Sequence, residues 1–285
     1  MSDMARIIDR LVQRSVNEYY NPYQHFEWPP SIDEGDLWMS EPLISVYGTP
    51  IYENLDRPQK LCLAKWESVN FYSMNVHGIR ELLLEVVNRV HVPGFEEPSR
   101  FFHHFIGEEN EHMYFFAKFC TNYGGKIYPT KKIKIRENKD QDIENIIVFS
   151  RILIFEEIVD FYNMRMATDH MLPPIIREIN KMHHQDESGH IAFGRQLVVY
   201  FWRRIKEKSS LSEITSVQNY LREYIISGMS DFYNPRVYND AGLGNGFALR
   251  SAAISHPARV EFHRQVTKRT VRFLLQHDLL EKEVF

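Results

Sequence analysis

The chain has 285 residues, 44% of them hydrophobic and 25% charged, with a formal net charge of -4, which is ample material for a sizeable core in one large domain or two small ones. No basic patch with aromatic platforms marks a nucleic-acid surface, and no apolar run reaches the roughly 20 residues that would cross a bilayer. The N-terminus carries charges throughout and does not read as a secretory signal, so the expectation is a cytoplasmic protein.

Cys62 and Cys120, far apart in the chain, fit neither a disulfide framework nor a Cys-x-x-Cys metal site. Residues 4–19 place Ile7, Ile8, Leu11, Val12 and Val16 on a helical stripe. From Asn21 to Pro58 repeated prolines punctuate an aromatic stretch that reads as an irregular lead-in wrapping a core.

A long helix is predicted from Pro58 to Val90, stopped by the His91-Val92-Pro93-Gly94 run, and a second from Pro98-Ser99 to about Tyr123, ended by Gly124-Gly125. After a basic connector from Tyr128 to Lys139, a third helix runs from about Asp140 to Met171. Pro173-Pro174 makes a turn and a fourth continues to about Lys208. Short turns within each pair indicate an antiparallel four-helix bundle. Segments near 211–231 and 257–278 add flanking helices around the glycine-rich run YNDAGLGNG, which follows no strand, lacks a Gly-Lys-Ser/Thr ending and reads as a connector. The expected fold is therefore all-α, a single domain with a lead-in (1–57), an antiparallel four-helix bundle (58–208) and C-terminal flanking helices (209–285).

Two acid-Glu-x-x-His motifs carry the chemistry: Glu108-Glu109-Asn110-Glu111-His112 on the second helix and Asp186-Glu187-Ser188-Gly189-His190 on the fourth. Positions i and i+3 share a helix face, so Glu109 with His112, and Glu187 with His190, can each offer a carboxylate and an imidazole to a metal ion. One such motif arises readily by chance; placement makes two informative. Glu81 and Glu109 stand equally far on either side of the turn at Phe95. Reflecting Glu187 across the turn at Leu172 leads likewise to the pair Glu156-Glu157. Two Glu-x-x-His helices plus one glutamate from each of the other two form the ligand set of di-iron and di-manganese carboxylate bundles, so the expected bundle over 58–208 is ferritin-like and metal-binding. Such ligands bridge two ions and leave positions open for dioxygen, and they accept manganese as well as iron.

The register leaves Glu81 in competition with Glu85 and Glu67, and Glu156 with Glu157. His183, four residues before Glu187, is a candidate additional ligand beside His184. Glu108 and Asp186 are placed to accept hydrogen bonds from ligand imidazoles of the opposite helix, and Asp160, four residues after Glu156, to do likewise. His77, His103 and His104 rank lower, as do Tyr72, Tyr114 and Tyr162, which could border a substrate cavity.

The motifs EENEHM and HHQDESGH, the lead-in WPPSIDEGDLWMS and the stretch WESVNFYSMNVHGIREL together resemble the p-aminobenzoate N-oxygenase family of di-iron proteins over most of the chain. The resemblance implies a third histidine four residues before the second motif's glutamate, matching His183. It also implies a ligand glutamate on the third helix at an interval that matches Glu156 rather than Glu157. The interval from Glu81 to Glu109 is shorter than the resemblance leads one to expect. The resemblance further implies two iron ions, dioxygen as co-substrate, an electron donor and conversion of an amine, often an arylamine, toward hydroxylamine or nitro products in specialised metabolism. That amine could be free or bound to a carrier protein, and a homodimer is compatible with the sequence. A carboxylated arylamine needs a cationic anchor, for which Arg236 is the candidate. Two other readings use the same pattern: a di-iron or di-manganese hydroxylase or desaturase acting on carbon, and a non-enzymatic iron-binding ferritin-like protein.

Overall fold

The computed structural model describes residues 3–130 and 140–285, so most of the expected basic connector, 131–139, lies outside the described residues. The described residues are helical with no strand. The lead-in comprises α1 (Asp3–Asn17), the single turn α2 (Pro22–His25), a 3₁₀ turn at Glu41–Leu43 and the short α3 (Pro50–Glu53). The bundle is built from α4 (Arg57–Val87), α5 (Ser99–Phe119), α6 (Gln141–Thr168) and α7 (Pro174–Lys208). Four further helices follow, α8 (Leu211–Asp231), α9 (Pro235–Asp240), α10 (Gly246–Ile254) and α11 (Pro257–Gln276).

Local chemistry explains the boundaries. Asp56 and Gln59 form a reciprocal capping box at the start of α4, and Ser210 with Glu213 does the same for α8. Asp140 caps α6 by accepting from the amides of Asp142 and Ile143, while Pro173-Pro174 starts α7 with a residue that needs no amide partner. α5 gives way after Phe119 to a π-helical turn, Cys120–Gly124, that ends at Gly125 with φ of +66°. A side chain at Gly124 would lie 2.8 Å from Val69 of α4, so this glycine permits the close approach of the two helices. The run YNDAGLGNG joins α9 to α10, and a Cβ at Gly246 would meet the Pro235 carbonyl oxygen at 2.1 Å. Glycine there is a packing requirement, with no phosphate cradle behind it.

α4 pairs antiparallel with α5, and α6 with α7. One hydrophobic core runs from Ile8 in the lead-in to Val284 near the C-terminus. Its centre is unusually aromatic: Tyr72 of α4 stacks on Phe116 of α5 at 5.2 Å between ring centroids, and Phe71 of α4 stacks on Tyr162 of α6 at 5.3 Å. These contacts fix the register of the bundle two turns away from the polar cluster at its heart.

Candidate metal centre

At the middle of the bundle Glu109, His112, Glu187 and His190 are buried, and each brings one ligand atom within 4.8 Å of the others. The i, i+3 spacing on α5 and on α7 turns each pair inward together. His190 Nδ1 lies 2.7 Å from Glu109 Oε1, and His112 Nδ1 lies 3.6 Å from both Glu109 Oε1 and Glu187 Oε1. α7 adds His183, 1% exposed, whose Nε2 is 2.9 Å from Glu187 Oε1. α6 adds Glu156, buried against Glu187 and Glu109.

The nine inward atoms of these six side chains, both carboxylate oxygens of Glu109, Glu156 and Glu187, Nδ1 of His112 and His190, and Nε2 of His183, have no hydrogen-bond partner of acceptable geometry. The short separations are therefore approaches of atoms aimed at shared space. Leaving ionised carboxylates in a protein interior without compensation costs several kcal/mol each, so the cluster needs cations among its members. Carboxylate oxygen and imidazole nitrogen are the donor types that iron and manganese accept, and the residues present fit such a group.

The outward ring atoms are tied down. His112 Nε2 meets Asp186 Oδ2 at 3.0 Å and His190 Nε2 meets Glu108 Oε2 at 2.7 Å. Each imidazole thus donates to a carboxylate of the opposite helix and presents Nδ1 inward. His183 Nδ1 faces Asn163 Nδ2, and the Asn163 amide oxygen has no partner; the same carboxamide turned by 180° about its last bond would put that oxygen against Nδ1–H and leave Nε2 its lone pair for the centre. Tyr20 of the lead-in donates to Asp186 at 3.3 Å, closing that side of the site.

Without metal these groups share protons. Burial works to raise the Glu187 carboxyl, but His183 and His190 outweigh it and hold it well below the usual carboxylate range. Burial and the charges of Glu187 and Glu109 push Glu156 well above that range. Burial opposes the imidazolium of His112, yet Glu109 and Asp186 overcome it and raise the group to about 10.

Three sequence expectations find a different place. Glu81 is not brought to the cluster; its side chain is 35% exposed and lies 3.6 Å from Arg151. Its competitors are also elsewhere: Glu67 is buried under the amide and hydroxyl of Ser45, and Glu85 accepts from Arg89 at 2.8 Å. Asp160 bonds His184 Nδ1 at 2.5 Å and approaches Arg269 at 3.6 Å, instead of holding a ligand imidazole, because α6 turns it toward α7's outer face and α11. Glu157 turns outward to Arg195 and Thr270, which leaves Glu156 as the inward member of its pair. Arg236 stands on α9 at the edge of a separate cavity of about 820 Å³. Sequence reasoning missed Asn163, although it follows Glu156 by seven residues on the same face of α6, and it missed Tyr20, for which the sequence carries no signal.

No helix among the described residues is long and apolar enough to cross a membrane. No curated protein matches the chain. The family described as P-aminobenzoate N-oxygenase AurF matches residues 1–278. The chain, an all-helical bundle with a buried Glu-His/Glu-His metal-binding group, belongs to the p-aminobenzoate N-oxygenase family of di-iron monooxygenases.

Proposed function

We propose that this protein oxygenates the nitrogen of a small amine bearing an acidic group, an arylamine being the leading candidate, with two iron ions held by Glu109, His112, Glu156, His183, Glu187 and His190. The observation that carries the reading is the set of nine buried donor atoms left without hydrogen bonds, contributed by three helices, in a chain matched by the N-oxygenase family over residues 1–278. Iron bound there supplies reversible redox chemistry and open positions for dioxygen.

The chain's own residues do the rest. Glu108 and Asp186 hold the rings of His190 and His112 so that Nδ1 faces the ions, and Asn163, with its amide oxygen turned to Nδ1, would do the same for Nε2 of His183. Phe105, Phe115 and Phe116 pack around the imidazoles and keep bulk water from the centre.

The cavity of about 820 Å³ between α4, α6, α8 and α9 is large enough for an aromatic amine. Ile154, Phe155, Ile158 and Val159 of α6 form its inner wall, and Glu156 sits on the other side of that helix. Arg236 and Arg250 supply cationic groups at its outer edge, suited to a substrate carboxylate. The amine end then points toward the wall, and displacement of a side chain such as Phe155 joins cavity to centre.

The test is anaerobic reconstitution with ferrous iron, metal counting, and exposure to dioxygen with p-aminobenzoate and a panel of arylamines and aliphatic amines. Mass spectrometry that finds oxygen added at nitrogen, dependent on iron, supports the reading. Turnover confined to carbon oxidation replaces it with a hydroxylase, and failure of the wild-type chain to retain metal removes it.

A further inference from the structure

Asn75 of α4 is fully buried and half satisfied. Its Nδ2 donates to the Phe71 carbonyl one turn back at 2.8 Å, while its Oδ1, shut off from solvent, has no hydrogen-bond partner among the described residues. The Phe71 carbonyl decides which way round the carboxamide sits, because the reverse orientation would set oxygen against oxygen. An amide oxygen left dry and unpaired is costly, so the direction in which it points matters.

Contacts on three sides place it. Tyr72 of α4 stacks on Phe116 of the antiparallel α5, so Asn75, three residues on, stands level with Met113 and its neighbour His112. The Tyr72 hydroxyl accepts from Asn180 Nδ2 of α7 at 2.7 Å. α4 is antiparallel to α6, with Phe71 on Tyr162 and Gly78 against Phe155, and α6 is antiparallel to α7; α4 and α7 therefore run parallel, and Asn75 stands level with His183, three residues beyond Asn180. The helical period gives the direction. At about 100° per residue, Tyr72 looks toward α5 and Phe71 toward α6, and Asn75, four residues after Phe71, falls between those two directions. It faces the interior of the bundle, at the end of the cluster where the rings of His112 and His183 lie 4.5 Å apart.

We infer that Asn75 is α4's donor to the centre, its amide oxygen serving as a neutral ligand at the end that His112 and His183 occupy. The inference rests on the metal-centre reading above. Charge explains an amide at this position. Glu109, Glu156 and Glu187 face inward, and Glu108 and Asp186 stand behind the imidazoles of His190 and His112, so five carboxylates already surround the four positive charges of two divalent ions. A sixth would deepen a negative excess in a buried setting. An amide carbonyl supplies a hard oxygen donor without adding charge.

The experiment uses the full chain loaded anaerobically with cobalt(II), whose visible bands report coordination, with affinities measured by competition against a chelator. Wild type is compared with Asn75→Leu, which keeps the branched outline of the side chain without its oxygen, with Asn75→Asp, which keeps an oxygen and adds a charge, and with Glu81→Gln as an α4 control whose side chain lies by Arg151. Circular dichroism checks the fold of each. Asn75→Leu is expected to weaken one of the two ions about tenfold or more and to change the cobalt bands, Asn75→Asp to hold both ions with displaced bands, and Glu81→Gln to match wild type. Wild-type affinity and bands in folded Asn75→Leu overturn the assignment, as does loss of an ion from folded Asn75→Asp, where an oxygen donor is still present. Should Asn75→Leu not fold, Asn75→Asp carries the test alone, and bands identical to wild type overturn the assignment. A wild-type chain that binds no metal strikes the metal-centre reading itself, an outcome visible before any variant is compared.

Discussion

His190 Nε2 lies 2.7 Å from Glu108 Oε2, a carboxylate on the opposite metal-site helix, and the relationship is mirrored by His112 and Asp186 at 3.0 Å. In each motif the acid just before the ligand glutamate serves the other motif's histidine. The two helices are cross-braced, so orienting one imidazole also fixes the separation of α5 and α7.

This bracing predicts the effect of removing it. Glu108→Ala and Asp186→Ala each free one ring to rotate, and loss of such an outer partner ordinarily costs roughly 10- to 100-fold in metal affinity. The expected result is a loss in that range for each variant, measured by competition against a chelator, with helicity unchanged. Unaltered affinity would mean that Phe105 and Phe115 alone hold the rings.

The same spacing logic shows what was legible before any coordinates. Glu109 with His112 and Glu187 with His190 are three apart, and the structure places each pair on one inward face because helical period alone decides that. Counting back from the Phe95 turn gives a position along α4 but not the face of the helix. Glu81 follows Ile79 by two residues, which is roughly 200° around the helix, and so points to Arg151 while Ile79 points inward. Asp160 failed for a related reason: it is turned toward His184 and Arg269, partners from a second helix face and from α11 that no local pattern announces. The lead-in was readable as irregular, but its closure over Asp186 through Tyr20 depends on tertiary contact.

Gly78 is predicted to be intolerant of even one carbon. Its Cβ would meet the Phe155 ring at 2.3 Å, and both helices are held by their aromatic register, so Gly78→Ala should cost about 1–3 kcal/mol through overpacking. Phe155→Ala in the same chain opens the space, and the double variant should recover part of the loss, giving a coupling energy in a denaturation cycle. Additive effects would show that Phe155 swings aside freely.

Glu67 predicts a pH dependence of stability that has nothing to do with metal. Burial raises its carboxyl to about 7, against a lowering influence from Ser45 and Arg259. Between its ordinary value of 4.5 and 7 the folded chain binds more protons than the unfolded one, so this group's contribution to stability is full below 4.5, falls as pH rises through that window and is flat above it. The loss is on the order of 3 kcal/mol at most. His263, which burial and Arg259 lower to about 4, works in the opposite sense below its ordinary 6.5. The measurement is therefore the stability difference between Glu67→Gln and wild type, which should rise in favour of the variant from pH 5 to pH 8. A constant difference would mean that Glu67 is ionised throughout.

Arg236 is the residue on which substrate selectivity is expected to turn. It is exposed on α9, at the edge of a cavity whose inner wall is the reverse side of the helix that carries Glu156. Exposure limits what one guanidinium contributes, because water competes for the same carboxylate. Arg236→Ala should therefore raise KM for p-aminobenzoate by about tenfold, the scale of one charge-assisted hydrogen bond partly screened by solvent, with kcat nearly unchanged because the residue lies away from the nitrogen. Arg236→Lys should recover less than half of that loss, since an ammonium cannot pair both carboxylate oxygens in the guanidinium's geometry. Aniline, which lacks the carboxylate, serves as the internal control: its kcat/KM should be the same in all three proteins. Equal losses for p-aminobenzoate and aniline would assign Arg236 to the shape of the cavity and leave recognition of the acid to Arg250, a second residue lining the cavity, whose Nη1 donates to the Tyr233 carbonyl at 2.8 Å.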